Sequence, residues 1–87
     1  MIKSGHYYFV RRDYISMLLL ITSTSSLDYF HDTEAIVIYS NELGFCTNNV
    51  PPFKFSSTSN LGDSLNHIGS SQADLDNFIL SNPEYFI

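Results

Sequence analysis

Apolar residues along this chain follow a period of two for its first half and a longer period near its end. From His6 to Arg11, Tyr7 and Phe9 alternate with Tyr8 and Val10, an aromatic and β-branched run that suits a strand. Arg12 and Asp13 supply a tight turn. Tyr14 to Thr22 then places Ile15, Met17, Leu19 and Ile21 on one face and Leu18 and Leu20 on the other. A strand apolar on both faces is expected to be central, covered above and below. Leu and Met also favour a helix, and a short apolar run is ambiguous by period alone. The Thr/Ser-rich end and the preceding strand favour β. Leu27 to Asp32 reads as a connection with room for one helical turn. Glu34 to Ser40, with Ala35-Ile36-Val37-Ile38-Tyr39, is the clearest strand, closed by turn residues Asn41 to Gly44. Phe45 and Cys46 begin a further extended piece before the loop Thr47 to Pro52. Phe53-Lys54-Phe55 is apolar on one side with Lys on the other, the usual dress of a sheet edge.

In the last third, Leu61, Leu65 and Ile68 fall at i, i+4, i+7, with Asn60 as N-cap, Asp63 in the first turn and Gly69 as stop. Gly62 weakens this helix and keeps it short. Ser71 three residues before Asp74 approximates a capping box, Leu75, Phe78 and Ile79 form an apolar stripe, and Pro83 ends the helix near Ser81. Glu84 to Ile87 forms a tail expected to pack against the body. The predicted architecture is α+β: a four-stranded, mostly antiparallel sheet with two short C-terminal helices packed on one face, in a single domain spanning residues 1–87.

Size sharpens this picture. A domain of 87 residues buries only roughly 60–65% of its unfolded surface, and seven Phe and six Tyr give its small core large apolar side chains. Charged residues make up 15%, below the roughly 25% of an average domain, so Ser, Thr and Asn must supply much of the polar surface. The charges are unevenly placed. Lys3, Arg11 and Arg12 precede every acid, and from Asp13 onward nine carboxylates face the single base Lys54. The net charge of −5 speaks to partners and solubility, not to fold.

Arg11-Arg12, the apolar run to Ile21 and the small residues Thr22 to Ser26 imitate a secretion signal. The run starts late, Ser16 interrupts it, and it is far shorter than the ~18 residues needed to span a bilayer. It is read as a buried strand, and no membrane association is expected. Cys46 is the only cysteine and no Asn-x-Ser/Thr sequon occurs, which points to a cytoplasmic protein.

Candidates for chemistry are few. Cys46 with His31 or His67 could form a thiol and base, but a lone cysteine beside Phe45 is more often a small buried hydrophobe. His31-Asp32 is a dipeptide used by metal-dependent phosphohydrolases, whose large helical frame and several further ligands are lacking here. Three scattered histidines with no i, i+4 pair and no cysteine cluster give no metal expectation. His6 to Arg12 interleaves aromatics and bases as single-strand binders do, yet the remaining acidic chain repels phosphate. Gly44, Gly62 and Gly69 make no phosphate loop. No cofactor, no catalytic group and no direct nucleic-acid binding are therefore expected.

The carboxylates Asp28, Asp32, Glu34, Glu42, Asp63, Asp74, Asp76 and Glu84 lack neighbouring bases and are free for a cationic surface. With Tyr29, Phe30 and Tyr85 as aromatic anchors, they suggest a small acidic inhibitor of the immunity-protein, antitoxin or phage-encoded kind. It would mask the basic active site or nucleic-acid-binding surface of a partner such as a nuclease. Two alternatives are an assembly module that homodimerises through the sheet edge near Phe53 to Ser57, and a small cysteine-dependent enzyme using Cys46.

Overall fold

The computed structural model describes residues 1–46 and 50–86. Six strands form one sheet: β1 (Tyr7–Arg12), β2 (Ile15–Ser23), β3 (Thr33–Ser40), β4 (Gly44–Phe45), β5 (Phe53–Phe55) and β6 (Asn66–Gly69). Two helices follow the fifth strand, α1 (Asn60–Asp63) before β6 and α2 (Gln72–Ser81) after it, and a 3-10 turn closes at Pro83–Phe86. The order is β4-β3-β2-β1-β6, with β5 also pairing β3, and every pairing is antiparallel. Since β2 occupies one side of β3, β4 and β5 lie end to end along its other side.

β1 and β2 form a hairpin with Arg12 opposite Ile15, so Asp13 and Tyr14 are a two-residue loop. Asp13 takes a φ of 53°, the left-handed value that such loops need and that Asp tolerates better than most residues. The run expected as a strand from Tyr14 to Thr22 is one from Ile15 to Ser23, and β2 is central: Leu18, Leu19 and Ile21 are fully buried. Register shifts on the β2–β3 pair leave Thr22 and Ile38 without a directly opposite residue, which raises the local twist.

Alternation along β1 and β2 divides the core in two. On one face Tyr8, Leu19, Ile21, Ala35, Val37 and Phe55 pack with Ile2, Val50, Leu61 and Leu65. On the other, Phe9, Leu18, Tyr39 and Leu75 pack with Phe78, Ile79, Tyr85 and Phe86. The tail is part of this second core, with Tyr85 stacked on Phe9 at 5.2 Å and Phe86 edge-on to Tyr39 at 4.9 Å.

The architecture is α+β, but three details differ from the sequence reading. Among the described residues the sheet has six strands, not four. The helix expected from Asn60 to Ile68 ends at Asp63, and its N-cap is Ser59, whose hydroxyl accepts from the Gly62 N–H at 3.2 Å. Leu65 and Ile68 then belong to opposite cores, as residues three apart on a strand do and residues on one helical stripe do not. Finally, α1 and α2 sit on opposite faces, so one ten-residue C-terminal helix, not two, covers the second face. Gly62 explains the close approach of α1: a Cβ there would collide with the Ser57 carbonyl oxygen. The capping box of α2 is present. Ser71 Oγ accepts from the Asp74 N–H at 3.1 Å, and Asp74 Oδ2 accepts from the N–H groups of Ser71 and Ser70. No helix among the described residues is long and apolar enough to cross a membrane. Thr47, Asn48 and Asn49, within the loop expected from Thr47 to Pro52, and Ile87 of the tail lie outside the described residues.

Candidate functional site

The antiparallel order gives the sheet two ends. One carries the β1–β2 hairpin, and the other carries the long connection from β2 to β3. At the latter end, Asp28 organises a compact loop. Its Oδ1 accepts from the N–H groups of Phe30 and His31, both at 2.8 Å, and from His31 Nδ1 at 3.0 Å. The N–H groups of Leu27 and Asp28 return to the His31 carbonyl. Such an Asx arrangement substitutes a side chain for backbone partners and lets six residues turn without helix; no helical turn forms there. The result is a fixed backbone whose tip presents Tyr29, 93% exposed, and Phe30, 74% exposed, with their rings edge to face at 4.9 Å.

Asp32 fastens the far end of this loop to the segment before α1. It accepts from Ser57 N at 2.8 Å, Ser57 Oγ at 2.6 Å and Thr33 Oγ1 at 2.9 Å. Glu34, half-buried at the start of β3, accepts from Thr22 Oγ1 at 2.9 Å and stands opposite Lys54 in the β3–β5 register. The hydrogen bond from His31, then the Phe30 N–H, holds the Asp28 carboxyl below its ordinary range. The Ser57 hydroxyl and N–H do the same for Asp32, and the side chain and N–H of Ser71 for Asp74. Hydroxyl and backbone N–H donors, as at Asp32 and Asp74, stabilise a carboxylate without cancelling its charge.

The other predicted binding residues are dispersed. Glu42 and Glu84 lie at the hairpin end, Glu84 sharing a cleft with Arg11, Asp13 and Tyr14. Asp63 is on α1 and Asp76 on α2, against opposite sheet faces. Asp74 is engaged as a helix cap. Tyr85 is half-buried between Phe9 and the Arg11 guanidinium, which sits 4.9 Å from its ring centre. Asp28, Tyr29, Phe30, Asp32 and Glu34 thus share the β2–β3 connection and the start of β3, Asp63 lines a cleft with Asp32, and Glu42, Asp74, Asp76, Glu84 and Tyr85 lie elsewhere. Among the described residues, only Asp13 pairs with a Lys or Arg, at 3.8 Å from Arg12.

Cys46 is half-buried, and its thiol faces the Gly44 carbonyl at 3.7 Å. His31 is bonded to Asp28 and His67 to His6. A cleft of about 560 Å³ is lined by Tyr8, Asp32, Ser57, Asp63, Leu65 and His67 among others. Its polar groups are largely occupied internally, Asp32 by Ser57 and the Tyr8 hydroxyl by the Lys3 N–H at 2.8 Å. β5 lies at the sheet edge as its composition implies, and Ser57, beyond its end, is turned toward Asp32.

The pairing of His6 with His67, 61 positions apart, had no sequence signal, since neither short spacing nor a motif links them. The exposed ring pair, by contrast, is visible as Tyr29-Phe30 inside a polar connection. No protein-family model, curated protein or solved structure matches this chain.

Proposed function

We propose that this chain is a small protein-binding inhibitor that docks through its Asp28–Asp32 loop onto a basic surface of a partner protein. The observation that supports it is the exposed Tyr29–Phe30 pair on a backbone already fixed by Asp28. Two adjacent rings in water gain nothing for folding, whereas buried in a partner they are typical interface anchors. A loop that is ordered before binding loses less conformational freedom on docking. Asp28, Asp32 and Glu34 add negative charge at this end of the sheet, which favours encounter with a Lys/Arg-rich surface such as a nuclease active site or a nucleic-acid groove. The carboxylates elsewhere, Glu42, Asp63, Asp74, Asp76 and Glu84, add to the long-range field. In this reading the protein works in the cytoplasm, blocks its partner sterically as immunity proteins, antitoxins and phage-encoded blockers do, and performs no chemistry of its own.

The test is capture of a basic partner from the native host by the wild-type chain and by the Tyr29→Ala/Phe30→Ala double variant, across a salt series. The double variant should lose the partner while folding normally, and wild-type capture should weaken as salt rises. A double variant that captures as well as wild type, or capture that strengthens with salt, defeats the proposal. Self-association through β5 is a second reading, favoured by an outer side of Phe53–Phe55 that pairs with no strand among the described residues. It requires a dimer by sedimentation at micromolar concentration, and a strict monomer removes it.

A further inference from the structure

We infer that His6 and His67 form a binding site for a divalent transition-metal ion of the Ni²⁺, Cu²⁺ and Zn²⁺ class, clamping the edge strand β6 to β1. His67 stands opposite Tyr8 in the β1–β6 register, and His6 is two residues before Tyr8 on the same face. The two imidazoles meet there, His6 Nδ1 lying 2.7 Å from His67 Nε2, with ring centres 5.0 Å apart. Close contact requires at least one of these nitrogens to carry an unprotonated lone pair, the form that metals bind.

The spacing suits a chelate. With metal–nitrogen distances of about 2.0–2.1 Å and a tetrahedral angle, two imidazoles hold their nitrogens about 3.3 Å apart and their ring centres about 5 Å apart. The ring centres are already there. Rotation about the side-chain bonds would open the nitrogen separation from 2.7 Å by about 0.6 Å and turn both lone pairs toward one point. The donor ring would pass its proton to its other nitrogen by exchange with water, freeing the nitrogen that faces its partner. Imidazole pairs select the later first-row ions over Mg²⁺ and Ca²⁺. Among the described residues no third His, Cys, Asp or Glu joins them, so water completes the shell. Two anions supply a favourable field: Asp63 lines the same cleft as His67, and Asp74 lines a second, shallower pocket with it.

The structural consequence falls on β6, whose strand partner is β1 and which leads directly into α2. The proposal is independent of the docking loop. It is tested on the untagged 87-residue chain at pH 7.5, with Ni²⁺ and Zn²⁺ as probes, Mg²⁺ as control, and calorimetric titration and thermal melting as readouts. Metal at a hundredfold excess over its Kd should raise the melting midpoint by at least about 5 °C. His6→Gln and His67→Gln should each weaken binding at least tenfold, and His31→Gln should leave it unchanged. In wild-type NMR spectra the ring signals of His6 and His67 should shift together with added Zn²⁺, those of His31 staying in place, a readout that needs no variant to fold. Absence of binding, binding that survives both His6→Gln and His67→Gln, or loss caused by His31→Gln overturns the proposal.

Discussion

Two leucines on α2 offer a matched test of how the second face of the sheet is covered. Leu75 is 5% exposed and is packed in one cluster with Phe9, Leu18 and Tyr39, whereas Leu80 on the same helix is 77% exposed. Replacing either by Ala changes helix propensity by the same small amount, so the difference between the variants isolates packing. Leu75→Ala deletes a buried side chain and leaves a cavity that its aromatic neighbours can only partly fill, a loss of about 2–5 kcal/mol. Leu80→Ala should stay within about 0.5 kcal/mol of wild type. A chain of 87 residues has a total stability of about 4–13 kcal/mol, so the first loss is a large share of it. At about 4–8 °C per kcal/mol, the Leu75→Ala melting midpoint should fall by at least about 8 °C. Urea unfolding followed by circular dichroism measures both variants, with unchanged m-values confirming that the two-state comparison holds. Equal losses at the two positions, or a Leu75→Ala loss below about 1 kcal/mol, would refute the docking of α2 described above.

Other outcomes follow from single residues. Ser71→Ala removes the acceptor for the Asp74 N–H and should cost about 1 kcal/mol in urea unfolding. Gly62→Ala would gain up to about 1 kcal/mol in a free helix but should destabilise here, because the new methyl meets the Ser57 carbonyl; a gain would show that α1 does not press on that segment. Asp28, Asp32 and Asp74 have carboxyls lowered by hydrogen bonding in the folded chain, so their stabilisation is present above the ordinary Asp value of 3.8 and is lost as pH falls through their depressed folded values. Unfolding curves collected from pH 6 downward should therefore show a loss beginning near that value, shallower in Asp32→Asn. Tyr29→Ala and Phe30→Ala should each leave the melting midpoint nearly unchanged, since both rings are exposed; a marked drop would mean the rings serve the fold.

Much of the fold was legible in local pattern. Alternation identified β1, β2 and β3, the two-sided apolar run of β2 implied its central place, and Ser71 with Asp74 announced the start of α2. These features rest on near neighbours, through dihedral preference, side-chain period and capping, which act over a few residues. Tertiary structure decided what distant partners decide. Leu61, Leu65 and Ile68 carry a helical spacing, yet pairing of Asn66–Gly69 with β1 makes the last part a strand and sends Leu65 and Ile68 to opposite cores. Eight acidic positions looked alike in the sequence, but the fold turns Asp32 toward Ser57 and into a cleft with Asp63, makes Asp74 a helix cap, and sends Glu84 to the hairpin end beside Arg11. His6 and His67 became neighbours for the same reason: strand pairing joins residues by register, and register is a property of the folded sheet, not of spacing along the chain.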